Sequence, residues 1–163
     1  MKSEIRGWRW SILLFATLAA LLPGVGAQAA PAADDVIGVW LDQDQRGYIE
    51  IFREQGSYHG RIAGSAVGPV GLDINNPDPA QRGRSLMGKR ILQGLRYDGA
   101  GRWLGGTILN PDDGQIYSVK LELPQPDLLD VRGFIGTPMF GQTQRWTRVH
   151  GAIPPARGMP PNP

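Results

Sequence analysis

The 163-residue chain contains no cysteine and only two histidines, His59 and His150. The absence of cysteine excludes disulfides, a thiol nucleophile and a lipid attached through an N-terminal cysteine. It also excludes a zinc site built from His and Cys. Stability must therefore come from a packed core and from hydrogen bonds. Long apolar runs are missing too. The longest, Ser11 to Leu22, has twelve residues, short of the ~20 that a membrane-spanning helix needs. No window shows a sustained helical period, although Asp78 to Arg84 could make one turn.

One-sided charge is also absent once the N-terminus is set aside. Lys2, Arg6 and Arg9 precede the apolar run, Pro23 and Gly24 break it, and Ala27-Gln28-Ala29 has the small-x-small spacing of a cleavage site. Residues 1–29 thus read as a signal peptide. Cleavage is expected after Ala29, since a cut after Ala30 would put Pro31 beside the scissile bond. Beyond residue 29 the chain has 14 basic and 14 acidic residues. This balance offers no basic surface for nucleic acid or an anionic membrane. The expected protein is exported, periplasmic or secreted, with no membrane span after cleavage. The remaining chain is one domain's worth and is expected to be monomeric.

What is present is a succession of strand patterns. They cover 36–42, 47–54, 57–64, 89–97, 102–109, 115–123, 128–136 and 142–149, with turn signals such as "DGAG" and "NPDDG" between them. Eight short strands joined mostly by hairpin-length turns predict an all-β fold: a small antiparallel up-and-down β-barrel. The barrel domain is placed at 36–149. The proline-rich tail, 150–163, is expected to be disordered or extended.

Two features indicate the type of barrel. Gly38-Val39-Trp40 opens the first strand, and Trp146-Thr147-Arg148 lies in the last. This resembles the lipocalin and fatty-acid-binding arrangement, in which a last-strand Arg packs across a first-strand Trp. Trp40, Trp146 and Arg148 are accordingly assigned structural roles at a closed end. From Gly38 to Val149 the chain also resembles the domain of unknown function 2147 (DUF2147) family. "GVW", "NNPDPAQRGRSLMG", "YDGAGRWLGGTILNPDDGQIY" and "VRGFIGTPMFGQTQRWTR" carry that resemblance. It implies an exported bacterial protein with a lipocalin-like barrel, and no known reaction.

The inventory for catalysis is poor. Ser65, Ser85 and Ser118 lack the strand-to-helix turn of a nucleophile elbow, and His59 is expected on the outer barrel face. No catalytic residue, metal ligand or cofactor is assigned, and an enzyme is not expected. Asp73, Asn75 and Asp78 fail the calcium-loop spacing, because the fifth and sixth positions are Pro77 and Asp78. Asp112-Asp113 reads as turn chemistry.

The stretch "DINNPDPAQRGRSL" (73–86) is the candidate site. It lies in a connection of some 23 residues, longer than structureless loops usually run. Its Asx residues and prolines argue for an ordered loop against the barrel, with Arg82 or Arg84 paired to Asp73 or Asp78. Asp73, Asn75, Asn76, Arg82 and Arg84, with Tyr117, are the candidate ligand-binding residues. Two readings follow. The first is a carrier of a small apolar or amphipathic ligand in the barrel. The second is a filled barrel that engages another envelope protein, with Trp103, Tyr117 and Phe134 as large inward fillers. An internal cavity open to solvent separates them.

Overall fold

The structure, a computed structural model, describes residues 29–155. The signal-peptide segment 1–28 and the tail end 156–163 lie outside the described residues. Eight strands form a closed barrel in sequence order: β1 Gly38–Leu41, β2 Gly47–Glu54, β3 Ser57–Ser65, β4 Arg90–Tyr97, β5 Arg102–Leu109, β6 Ile116–Gln125, β7 Leu128–Phe134 and β8 Gln142–Val149. Every neighbouring pair is antiparallel. β1 closes on β8 with Trp40 opposite Arg148. The meander topology and the strand positions are those the turn chemistry predicts, to within two residues at most ends.

Closure leaves no strand edge unpaired, and it forces sharp coiling. Glycine supplies the bends. Gly94 in β4 and Gly105 in β5 both have positive φ, at 74° and 76°. They fall where the β4–β5 register skips from Gln93↔Thr107 to Arg96↔Leu104. Beside them, Gly106 leaves room for the core. A Cβ there would stand 2.5 Å from Leu95 Cγ and 2.7 Å from the Gln93 carbonyl oxygen.

Alternation along the strands points one face of each into the barrel. Trp40, Ile49, Ile51, Tyr58, Leu92, Leu95, Trp103, Val119, Leu121, Leu129, Val131 and Trp146 are all buried in one cluster. Leu129 and Val131 identify the inner face of β7, so Asp130 and Arg132 face outward. Phe134 pairs with exposed Ser118 on that outer side, so it does not fill the interior as expected. His59 pairs with Phe52 on the outside, the rings 5.9 Å apart.

One end of the barrel is plugged by a segment that the sequence presents only as a polar lead-in. Ala33–Val36 form a 3-10 turn, and Val36 is fully buried. Its carbonyls accept the two deepest indoles: Trp103 Nε1 donates to Ala33 O and Trp40 Nε1 to Val36 O, each at 3.0 Å. Both indole N–H groups are thereby satisfied in the core, as buried polar atoms must be. Tyr58 OH donates to Asp34 at 2.7 Å. Burial first, then that carboxylate, pushes the Tyr58 phenol up to about 12. Arg148 lies over the Trp40 ring, 4.1 Å from its centroid, inside the cation–π distance expected for this pair.

Candidate functional site

The connection from β3 to β4 is ordered by its own polar groups. Leu72 bridges Ser85, and the backbone bonds Asp73 N→Arg84 O and Leu86 N→Gly71 O make a short internal hairpin. Asn76 Oδ1 accepts from Asp78 N, and Asp78 Oδ1 accepts from Ala80 N, capping a 3-10 turn at Pro79–Gln81. These are the Asx turns that the composition predicts.

The expected ion pairing is wrong in its partners. Asp73 is buried and accepts from Lys89 Nζ and from Asn76 Nδ2, the latter at 2.5 Å. Burial alone would raise its carboxyl, but the bonds from Lys89 and Asn76 outweigh that and hold it below the ordinary 3.8. Lys89 begins the return to the barrel, outside the quoted stretch, so the charge balance within 73–86 did not point to it. Arg82 instead donates Nε to the Asn76 carbonyl at 2.8 Å. Among the described residues neither Arg82 nor Arg84 meets a carboxylate.

The loop leans over the barrel mouth. Asn75 Nδ2 donates to Pro111 O at 3.0 Å and to Asp112 O at 2.9 Å, in the turn between β5 and β6. Gly114, with φ 70°, sits directly under Asn75, whose carbonyl leaves no space for a Cβ there. Arg46, in the turn between β1 and β2, reaches Asp112 at 3.6 Å. Those two turns lie four strands apart in an eight-strand ring, so this pair spans the mouth. Asp112-Asp113 is turn chemistry, as read: Asp113 accepts from Gln115 N and Asn110 Nδ2, and Asp112 N bonds Asn110 Oδ1. Tyr117 OH donates to Asp113 at 2.8 Å, which raises the phenol. Tyr117 therefore shares the mouth with Asn75, through the β5–β6 turn. Asp73 and Asn76 bond each other in the loop interior, and Arg84 is exposed.

The mouth also carries a feature that the strand patterns do not reveal. Nine large apolar side chains are exposed among the described residues, and eight lie at this end. Val67, Leu72, Ile74 and Met87 come from the β3–β4 connection, Ile116 from the start of β6, and Ile135, Met139 and Phe140 from the β7–β8 turn. Met139 and Phe140 are 81% and 78% exposed. Arg132 holds that turn by donating to Pro138 O at 2.7 Å and to Thr143 Oγ1 at 2.9 Å. The apolar tips are thus mounted on a fixed turn. Their signal in the sequence is "FIGTPMF": four large apolar residues in a segment that turn chemistry alone would make polar.

Inside the mouth, Ile62, Ile108, Tyr117 and Gly133 are half-buried on the inner faces of their strands, and Gln144 is exposed on the inner face of β8. They stand directly above the packed core, and Ile62 and Ile108 pack against it. A groove of about 770 Å³ lies elsewhere, outside the plugged end, walled by Ala29–Pro31, Asp34, Asp35 and Ile37 and by Leu123–Asp127 with Arg148 and His150. None of the candidate ligand-binding residues lines it.

With this geometry in hand, the family model for uncharacterized proteins conserved in bacteria, DUF2147, matches residues 38–148. The chain belongs to that family. The DUF2147 match begins at Gly38, where β1 begins, and ends at Arg148, so it spans the barrel and leaves the 3-10 plug outside. No curated protein matches the chain. Among solved structures the barrel is similar to protein HP1028 from the human pathogen Helicobacter pylori, described as belonging to the lipocalin family. The two share 23% identity over 70% of this chain and 82% of the other, with a TM-score of 0.65. At that identity the likeness establishes the fold: a lipocalin-like barrel.

Proposed function

We propose that this DUF2147 protein is an exported, non-catalytic binding module of the bacterial envelope, and that it engages an envelope protein through the loop end of its barrel. The observation that carries this reading is the collection of eight exposed apolar side chains at one end, above an axis filled by Trp40, Trp103, Trp146 and their neighbours. Exposed apolar groups scattered singly need no explanation, whereas a concentration of them on one surface marks a site of association. Rigid loop tips with charges of both signs around them, such as Arg82, Arg84, Asp44 and Asp78, have the anatomy of a protein interface: an apolar centre with a polar rim.

A second reading rests on the inward-facing residues at the mouth. Ile62, Ile108 and Tyr117 would hold the apolar part of a small amphipathic ligand, with Arg82 or Arg84 near its polar head. Such a ligand would lie at the mouth, because the indoles fill the barrel axis below it. Native mass spectrometry of the protein taken from its own host separates the two. An added mass the size of a protein supports the interaction module. A bound molecule of a few hundred daltons supports the carrier and overturns the first reading.

A further inference from the structure

We propose that the partner at the loop end is a second copy of this chain, docked mouth to mouth about a two-fold axis; this rests on the loop-end reading above. The placement of the exposed apolar side chains carries it. Ile135, Met139 and Phe140 come from the β7–β8 turn, and Leu72, Ile74 and Met87 from the β3–β4 connection. In a closed ring of eight strands in sequence order these two connections lie four strands apart, at opposite ends of one diameter of the mouth. Take a two-fold axis in the plane of the mouth, perpendicular to that diameter. It sets the β7–β8 turn of one copy on the β3–β4 connection of the other, and repeats the contact on the far side. An interface of this kind is isologous: each surface needs only to complement itself. This departs from the monomer that chain size alone suggests.

Area and charge agree with a second copy. From their fractional exposures, 52% to 81%, the eight apolar residues offer on the order of 900 Å² per copy, against the ~800 Å² per partner of a standard stable interface. From Ile135 to Gln144 the β7–β8 segment carries no charge, so Asp78, Arg82 and Arg84 on the facing loop meet no like charge in it. Along the axis, Arg46 and Asp112 neutralise each other within each copy. The outer faces of the strands, by contrast, carry paired charges: Arg61 with Glu50, Arg90 with Glu54 and Arg145 with Asp130.

Both contact surfaces are held before they meet. Arg132 fixes the β7–β8 turn, and the bonds of Asp73 with Lys89 and of Asn75 with the β5–β6 turn fix the loop. Docking therefore orders little backbone, which lowers its entropic cost. Met87 and Met139 add unbranched side chains that adapt to the facing surface. One feature opposes association. Asp44 is exposed on the β1–β2 turn, which faces its own copy at one end of the axis. Salt screens that repulsion, so the dimer should tighten as salt rises.

The test is sedimentation equilibrium on the protein purified from its host envelope. A dimer at low-micromolar concentration is expected. Each substitution enters a two-fold interface twice, so Phe140→Asp should weaken dimerisation by about a hundredfold or more. Phe140 is exposed, so the unfolding midpoint of the monomer should not change. The chain has no cysteine, so introduced thiols report the pairing cleanly. A chain with Phe140→Cys mixed with one carrying Ile74→Cys should be joined by a short thiol-to-thiol crosslinker in preference to either symmetric pair. A dimer indifferent to Phe140→Asp, or symmetric 140–140 pairs alone, would overturn the proposal. So would a monomer that, in the host envelope, photo-crosslinks from position 140 to a different protein, but that result leaves the loop-end reading intact. A monomer with no protein adduct from position 140 would overturn both.

Discussion

Arg148 is the residue whose contribution can be worked out most fully. Its Nε donates to Pro126 O at 2.8 Å, and its two terminal nitrogens donate to Ile37 O at 2.9 Å and Asp35 O at 2.5 Å. One guanidinium therefore ties the β6–β7 turn to the plug and to the start of β1, while its face covers Trp40. Gly38 is required beneath it, since a Cβ there would stand 2.7 Å from Arg148 Nη1. Arg148→Lys keeps the charge but can replace only one of three directed bonds, and it loses the planar contact with the indole. Two lost bonds to carbonyls cost about 1 kcal/mol each, and a half-desolvated cation–π contact adds about 1 kcal/mol. Burying the guanidinium has its own cost, visible in the lowering of its pKa by desolvation, and this offsets part of the loss. A net destabilisation of about 2–3 kcal/mol is expected, or a fall in Tm on the order of 10 °C for a domain of this size. The assay is urea and thermal unfolding followed by tryptophan fluorescence, with Arg145→Lys as control. Arg145 also pairs with a carboxylate, Asp130 at 2.8 Å, but it is exposed, so its replacement should cost under about 1 kcal/mol. If Arg148→Lys costs no more than Arg145→Lys, the keystone role assigned to Arg148 is wrong.

Gly106→Ala places a methyl group against Leu95 and the Gln93 carbonyl, and should destabilise by about 2–3 kcal/mol in the same unfolding assay. Asp73 has a lowered folded pKa, so its stabilisation is present above the ordinary 3.8 and is lost as pH falls through the folded value. Asp73→Asn should therefore cost about 2 kcal/mol at neutral pH and progressively less on acidification below about pH 4, read as a converging pair of urea midpoints. The double variant Arg82→Gln, Arg84→Gln should lose less than about 1 kcal/mol, because among the described residues the side-chain bond at stake is Arg82 to the Asn76 carbonyl. A larger loss would mean that these arginines hold the loop after all.

Much of the fold can be read from local chemistry. Turn signals at Asp98–Gly101 and Asn110–Gly114 delimit the strands, and the Gly-x-Trp and Trp-x-Arg pairs mark the two strands that close the ring. The inner face of β7 is harder to read, since "LDVRGF" carries apolar residues on both faces. Only the register of Leu129 with buried Trp146 decides it. The plug at Ala33–Val36 is hidden for a different reason. Its value lies in backbone carbonyls that accept indole protons, and backbone groups leave no trace in side-chain pattern. At the mouth, the loop's order was legible from Asn76, Asp78 and the prolines, which act on neighbours. The partner of Asp73 was not, because Lys89 reaches it only once the loop has folded back on itself. Four charges within fourteen residues invited local pairing, and tertiary placement chose another cation.

The central claim is that the loop end is the working surface and the core beneath it is closed. Photo-crosslinking in the intact host envelope tests it most directly, with the reactive residue placed in turn at Phe140 on the apolar rim and at Pro124 on the plugged end. The account predicts a discrete protein adduct from position 140, lost when Ile74→Ser and Met139→Ser are combined in a chain that keeps its unfolding midpoint, and no adduct from position 124. An adduct from position 124 alone would contradict it.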